Sequence, residues 1–349
     1  MNFESIAAVD SIRDVEQLEE MLSTPTEGVV ATLSRLEGDV IILGVGGKMG
    51  PTLARMVRRG TDLAGRKRRV IGVARFTATG LEQRLRSQGI ETIACDLLDP
   101  AQLQQLPDVP NVVFMAGRKF GATGNESLTW AMNAFLPGIA ACKFDGSRIV
   151  AFSTGNVYPL TNPNGGGSAE NDPPGPVGEY AMSCLGRERI LEHFGRTMST
   201  PMALLRLNYA VEMRYGVLLD VARRVWAGEA IDVTMGSANV IWQGDATAMA
   251  IQAFDYARVP AFVVNVAGPE ILSIRRVAQQ FGQWMGKQVT FTGTESPTAL
   301  LSNGQLGHRL FGYPRTPVQQ VIRWVADWVK RGGETLDKPT HFEVRDGKF

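Results

Sequence analysis

"DVIILGVGGKMGPTLARMVRRG", residues 39–60, is the stretch on which the fold turns. It opens with a short, mostly apolar run at 39–43 that stops at glycines, as a strand buried in a parallel sheet does. Gly44, Gly47 and Gly50 then stand in a GxxGxxG spacing, with Gly46 as an extra glycine, and a helix is expected to follow as far as Gly60. Such a spacing is weak alone. Between a strand and a helix it has a physical meaning: glycines let the backbone turn sharply and approach a pyrophosphate, whose charge the helix-start N–H groups meet. Lys48 and Met49 complete the turn, and Lys48 puts positive charge beside the phosphates.

Working outward, strand-like runs recur at 69–74, 91–94, 111–116, 148–153, 202–207 and 262–267, most of them separated by helical stretches. That alternation predicts an α/β fold, a doubly wound parallel sheet. Residues 161–178 are too rich in Gly and Pro for regular structure and read as a loop. Before the first strand, "DVEQLEEML" and "TPTEGVVATLSRL" have helical spacing and start signals.

The chain has 349 residues, 44% hydrophobic and 20% charged, enough for a large core. Lys plus Arg number 36 against 35 Asp plus Glu, so no global field points to nucleic acid or an anionic membrane. The basic cluster at 65–69 reads as a solvated turn. Three dispersed cysteines, Cys95, Cys142 and Cys184, argue against a disulfide framework or a zinc site and for a reducing compartment. The acidic start lacks an apolar signal segment and no run approaches a membrane span, so a cytoplasmic protein is expected.

In a dinucleotide-binding fold, an acidic residue ending the second strand would hydrogen-bond the NAD ribose. Here that strand ends in Arg75, with no carboxylate until Glu82. A cation suits the 2′-phosphate of NADP, so the reading leans to NADP, with NAD as the alternative.

With these elements in place, the chain resembles the extended short-chain dehydrogenase/reductases, the NAD-dependent epimerase/dehydratase family, from about residue 38 to 330. "ACDLLD", carrying Asp96 and Leu97, is similar to the family's adenine-contacting segment. "FMAG", with Ala116 and Gly117, resembles the turn under the cofactor, and Asn133 stands where a helix asparagine is usual. "FSTGNVYPL" resembles the family's serine-rich strand end, which implies a catalytic hydroxyl at Thr154 and places Asn156 beside the substrate. "GEYAMSCLGRERILEHF" resembles the active-site helix, with Tyr180 as acid/base and Cys184 where the family has lysine. "LLRLNYAV" puts Asn208 near a substrate by the same resemblance, while Arg214 and Trp242 are candidates to reach or line its pocket. The glycine turn also resembles that of dihydrodipicolinate reductases, whose histidine-rich stretch is absent.

The resemblance implies a Rossmann-like NAD(P)-binding domain with a smaller C-terminal substrate lobe. The expected boundaries are a helical extension over 1–37, a dinucleotide domain over 38–208 plus about 238–267, a substrate lobe over about 209–237 plus 268–335, and a tail over 336–349. It also implies a homodimer through helices near 124–142 and 178–195. The missing lysine bears on chemistry. An unperturbed tyrosine has a pKa of about 10, and an ammonium one helical turn away would favour its ionised form. A neutral thiol replaces that charge poorly. Three readings stay open: an oxidoreductase or epimerase acting on a hydroxylated, sugar-like molecule with altered proton handling, a dinucleotide-binding sensor, and a non-redox lyase or isomerase.

Overall fold

The computed structural model describes residues 9–119, 121 and 124–348. The first eight residues of the expected extension and the last residue of the tail lie outside them.

Strands β1 (Val40–Leu43), β2 (Val70–Ala74), β3 (Glu91–Ala94), β4 (Asn111–Phe114), β5 (Arg148–Thr154) and β6 (Met202–Leu207), with a seventh at Phe262–Val266, form one sheet. Its order is β3-β2-β1-β4-β5-β6 and then the seventh strand, with every pair parallel. β1 and β4 are buried at every position, which is why their sequences are unbroken apolar runs rather than alternating ones. The strand order reverses between β1 and β4. Connections leaving these two strands go to opposite faces, so a crevice opens at their C-terminal ends.

One apolar core beneath the sheet includes Val29, Leu33, Leu53, Val57 and Met249. The other includes Leu103, Leu136, Ala140 and Leu191. A third core joins Leu18 and Leu22 to Leu218, Phe281, Ile322, Trp324 and Phe342. The two leading helices therefore divide between bodies. Val15–Leu22, capped by Asp14, packs into the third core, whereas Glu27–Arg35, capped by Thr26, packs against the sheet.

The helix after β1 runs Gly50–Leu63, beyond the expected stop at Gly60. A Cβ at Gly60 would lie 2.7 Å from Leu33 and 3.0 Å from Val29. The glycine is there for close helix packing, and it does not end the helix. The helix Gly178–Thr197 lies beside β5 and beside the helical stretch 126–143, which contains a π turn at Ala131–Phe135. The tail folds back across both bodies. Leu336 N–H donates to the Arg214 carbonyl, Thr340 donates twice to Asp220, and Gly347 packs against Gly178.

Candidate active site

Two cavities meet in the crevice at Gly47 and Gly117. The smaller, of about 220 Å³, lies between the ends of β2 and β3 and is lined by Gly44, Gly46, Arg75, Asp96, Leu97 and Ala116 among others. The larger, of about 400 Å³, is floored by the ends of β4 and β5 and includes Lys48, Met49, Asn133, Thr154, Asn156 and Tyr180. The sequence-predicted cofactor residues thus line one continuous groove, except Gly50, which stands at the start of the following helix.

The glycines separate by function. Gly44 has φ +90° and a Cβ there would meet the Ala116 backbone at 2.7 Å; one on Gly50 would meet the Val45 carbonyl oxygen at 2.2 Å. Both are required by the fold. Gly47 differs: a Cβ there meets only the Gly44 carbonyl oxygen, at 3.4 Å, and its φ is ordinary. Nothing in the protein demands glycine at that point, which borders both cavities. The open edge leaves room for a ligand to pass close to the backbone. The Arg118 Nε beside it is buried with no hydrogen-bond partner among the described residues. A dinucleotide's pyrophosphate fits both features: an open glycine edge and an orphaned cationic donor.

The catalytic candidates converge. Thr154 ends β5, and its Oγ1 accepts from Asn156 N–H at 3.2 Å and from Asn156 Nδ2 at 3.0 Å. Its own proton is left for the Tyr180 hydroxyl, to which it is hydrogen-bonded. Burial pushes the Tyr180 phenol well above its ordinary value, Cys184 adds to this, and the Thr154 bond and Arg187 act against it. Cys184 itself is 1% exposed and packs with Val157 and Tyr158 beneath Tyr180. Burial raises its thiol pKa too, which favours the neutral thiol.

Behind the tyrosine, charges are matched. Glu188 is fully buried, pairs with Arg206 at 2.7 Å and accepts from Ser153 at 2.5 Å. Arg206 also donates to the Tyr158 hydroxyl, which donates to Asn265. Arg187 runs beneath Gly117, giving its protons to the Phe152 carbonyl at 2.6 Å and to both oxygens of Asn133. A Cβ on Gly117 would come 2.6 Å from that guanidinium, which explains the glycine. Asn133 further holds the Arg118 backbone through both its N–H and its C=O.

In front of the tyrosine the picture reverses. Lys48, Arg118, Lys119, Arg187 and Lys338 line the larger cavity, and no Asp or Glu does among the described residues. Lys48 donates to the Ala210 carbonyl at 3.0 Å and lies 4.0 Å over the Tyr215 ring. Burial pulls its ammonium down to about 7, Glu212 opposing and Lys119 and Arg214 adding. Lys119 donates to the Thr340 carbonyl at 3.2 Å and sits 6.0 Å from the Tyr180 ring. Burial brings it down to about 8, with Asp220 and Cys184 opposing.

Three expected substrate contacts stand elsewhere. Arg214 is held by Glu19 at 2.7 Å and Glu212 at 3.2 Å, so its charge is spent inside the protein. Trp242 packs against Trp324 in the third core, ring centroids 5.5 Å apart. Asn208 is buried and donates to Asn239 at 2.6 Å, tying the chain just after β6 to the segment around Asn239. None of the three lines the cavity. The residues that sequence reasoning missed are Lys119, Tyr215 and the tail residues Lys338 and Thr340. The first had a visible signal, a basic pair directly after the "FMAG" turn; the tail had none, because its site partners are more than 100 residues away.

The profile of the NAD dependent epimerase/dehydratase family matches residues 40–270. No curated protein matches the sequence. Among solved structures, UDP-glucuronic acid 4-epimerase from Bacillus cereus in complex with NAD aligns at 18% identity and TM-score 0.70, over 84% of this chain and 99% of that one. UDP-glucose 4-epimerase from Thermotoga maritima with UDP-glucose aligns at 13% and 0.67, over 84% and 99%. The Bordetella bronchiseptica enzyme WbmG in complex with NAD and UDP aligns at 18% and 0.67, over 86% and 97%. At these identities the likeness is one of fold.

Proposed function

Since the chain belongs to the NAD dependent epimerase/dehydratase family, we propose that it is a nicotinamide-dinucleotide-dependent enzyme of the oxidoreductase/epimerase type, acting on a hydroxyl of a small, sugar-like molecule. The observation that carries this is the hydrogen-bonded Thr154–Tyr180 pair on the floor of a cavity continuous with the glycine groove. The bound dinucleotide would supply the hydride acceptor and donor.

This chain's residues would handle the proton. Thr154, fixed by Asn156, would turn its proton from the Tyr180 oxygen to the substrate oxygen as the substrate enters, and so hold that oxygen beside Tyr180. Tyr180 takes the proton from a hydroxyl or returns it to a carbonyl. The ammonium that position 184 lacks comes from across the cavity, where Lys119 faces the phenol ring; Arg187 adds a fixed charge from below. Both favour a phenolate that burial disfavours.

Gly44, Gly46, Gly47, Met49, Gly117 and Asn133 would frame the dinucleotide's path, with Asp96 and Leu97 at the adenine end. Arg75 is the one feature favouring NADP; the NAD bound in the B. cereus and B. bronchiseptica structures lends that preference no support. The UDP-sugars of the similar structures make nucleotide sugars the first substrates to try. Leu128, Trp130, Phe135 and Met182 are exposed on the two helical stretches expected to pair, which supports a homodimer. No helix among the described residues is long and apolar enough to cross a membrane, and the near-zero net charge supports neither a nucleic acid nor a membrane partner.

The test is a sugar, polyol and nucleotide-sugar screen with NAD and NADP, read at the reduced-nicotinamide absorbance band. Turnover that Tyr180→Phe abolishes supports the proposal. Tight dinucleotide binding without turnover on any compound, before and after Cys184→Lys, would replace it with the sensor reading.

A further inference from the structure

Residues 336–340 of the tail pass between two cavities, each of about 400 Å³. Leu336, Lys338 and Thr340 line the one that holds Tyr180. Asp337, Lys338 and Pro339 line the other, together with Asp220, Arg223 and Arg224 of the helix Val217–Ala227. Lys338 borders both, so the segment forms a partition between them.

The partition is fastened on both sides. Upstream, Leu336 N–H donates to the Arg214 carbonyl at 3.0 Å. Downstream, the Thr340 N–H and Oγ1 donate to Asp220 at 2.7 and 2.6 Å. Phe342 is buried in the third core, and Arg345 donates to Thr298 at 2.7 and 2.8 Å. The last fastening is made by glycines. Gly178, where the helix carrying Tyr180 begins, and Gly347 have φ of +82° and +73° and pack backbone to backbone. A Cβ on Gly347 would lie 2.2 Å from the Val177 carbonyl oxygen, and one on Gly178 would lie 2.4 Å from that of Gly347. A terminal segment without a role is loosely held. This one is tied down along its length, and Asp337 and His341, at φ +47° and +52°, hold conformations that non-glycine residues seldom take.

We propose that residues 336–347 form a strap that walls the active-site cavity and sets the size of the substrate: Leu336, Lys338 and Thr340 admit a single sugar ring or sugar acid beside Tyr180 and exclude a sugar carrying a nucleotide. This rests on the proposed function for the chemistry at Tyr180 and names the substrate class of that site. The physical reason is volume. Ligand cavities span about 300–1,000 Å³, and this one lies near the lower end. Gly47, Gly117 and Asn133, on the dinucleotide's path, line it as well, so the cofactor takes part of the space. The strap confines what remains, and the room for a longer molecule lies on its other side. The family profile ends at residue 270, so the strap lies outside the stretch that the family match covers.

Access of thiol reagents to the cavity tests this. Leu207, which lines the cavity, is changed to cysteine and the exposed Cys142 to serine, while Cys95 and Cys184 are buried. Iodoacetamide, smaller than a sugar ring, and fluorescein-5-maleimide, of nucleotide-sugar size, serve as gauges, each rate divided by that of the same reagent with glutathione. With the strap in place, the normalised rate of the larger reagent should be about ten-fold or more below that of the smaller. Two substitutions loosen the strap at different points: Asp220→Ala removes the acceptor of both Thr340 bonds, and Gly347→Ala blocks the contact with Gly178. Either should speed the larger reagent about ten-fold and the smaller less than about two-fold. Faster hydrogen exchange at the Leu336 and Thr340 amides, in a molecule otherwise protected, shows that the strap has lifted. Equal normalised rates with the strap in place, a thiol closed to both reagents, or a lifted strap that still bars the larger one overturns the proposal. If neither substitution lifts the strap, the fastenings are wrongly assigned and the proposal falls with them. Because labelling needs neither cofactor nor turnover, a failed substrate screen leaves the result standing, and equal rates leave the Tyr180 chemistry untouched.

Discussion

Two groups of charges flank Tyr180, and they are built on opposite rules. Behind it, Glu188, Arg206, Ser153, Tyr158 and Asn265 are buried and bonded to one another. In front, Lys48, Arg118 and Lys119 line an open cavity, and among the described residues its wall carries no Asp or Glu. A buried charge that finds its counter-charge within the fold is structural. Cations on the wall of a cavity that also holds a hydroxyl–phenol pair stand where an incoming molecule would meet them.

The comparison can be broken from either side. Tyr180→Phe keeps the ring and removes the proton, so turnover should fall about 10²–10⁴-fold, the range for a general acid–base group, with no change in melting temperature. Glu188→Gln leaves Arg206 buried beside a neutral amide. Unfolding free energy should drop by about 3–5 kcal/mol in denaturant titrations; a drop below about 1 kcal/mol would mean that the rear network is not structural. Lys119→Met should lower kcat/KM by about ten-fold or more, and Cys184→Lys on that background should restore part of it, since either lysine puts an ammonium near the phenolate. No recovery in a folded double variant would remove Lys119 from the proton step.

The smallest effect sharpens the contrast most. Lys48 has a folded pKa of about 7, below its ordinary 10.5, so between those values the unfolded chain binds more protons. Stability then rises with pH across that window, and below it the penalty for charging Lys48 is present in full. Lys48→Met should therefore stabilise the unliganded protein at pH 6, on the order of 1 kcal/mol after allowing for solvent screening. The gain should shrink toward pH 10. Destabilisation at pH 6 would show that Lys48 belongs with the paired group.

The sheet was legible because a strand buried on both faces leaves no choice of residue, as at Val40–Leu43 and Asn111–Phe114. The groove was legible because close backbone approach needs glycine, as at Gly44. Thr154 and Tyr180 were found through family resemblance, and the fold brings them into hydrogen-bond contact. Arg214 and Trp242 could not be placed from sequence, since whether a cation or an indole faces a cavity depends on partners such as Glu19 and Trp324, distant in the chain. Lys119 was overlooked for the same reason. Its meaning depends on a tyrosine 61 residues on and a tail carbonyl 221 residues on, at Thr340.

The most direct test of a dinucleotide-dependent site is a fluorescence titration of NADH and NADPH against the wild type and Gly47→Ala. A methyl at that position meets nothing closer than 3.4 Å within the protein, so melting temperature should stay unchanged while affinity falls about ten-fold or more, the new side chain standing where the pyrophosphate passes. Equal binding by both proteins, or no binding of either nucleotide to the wild type, would contradict it.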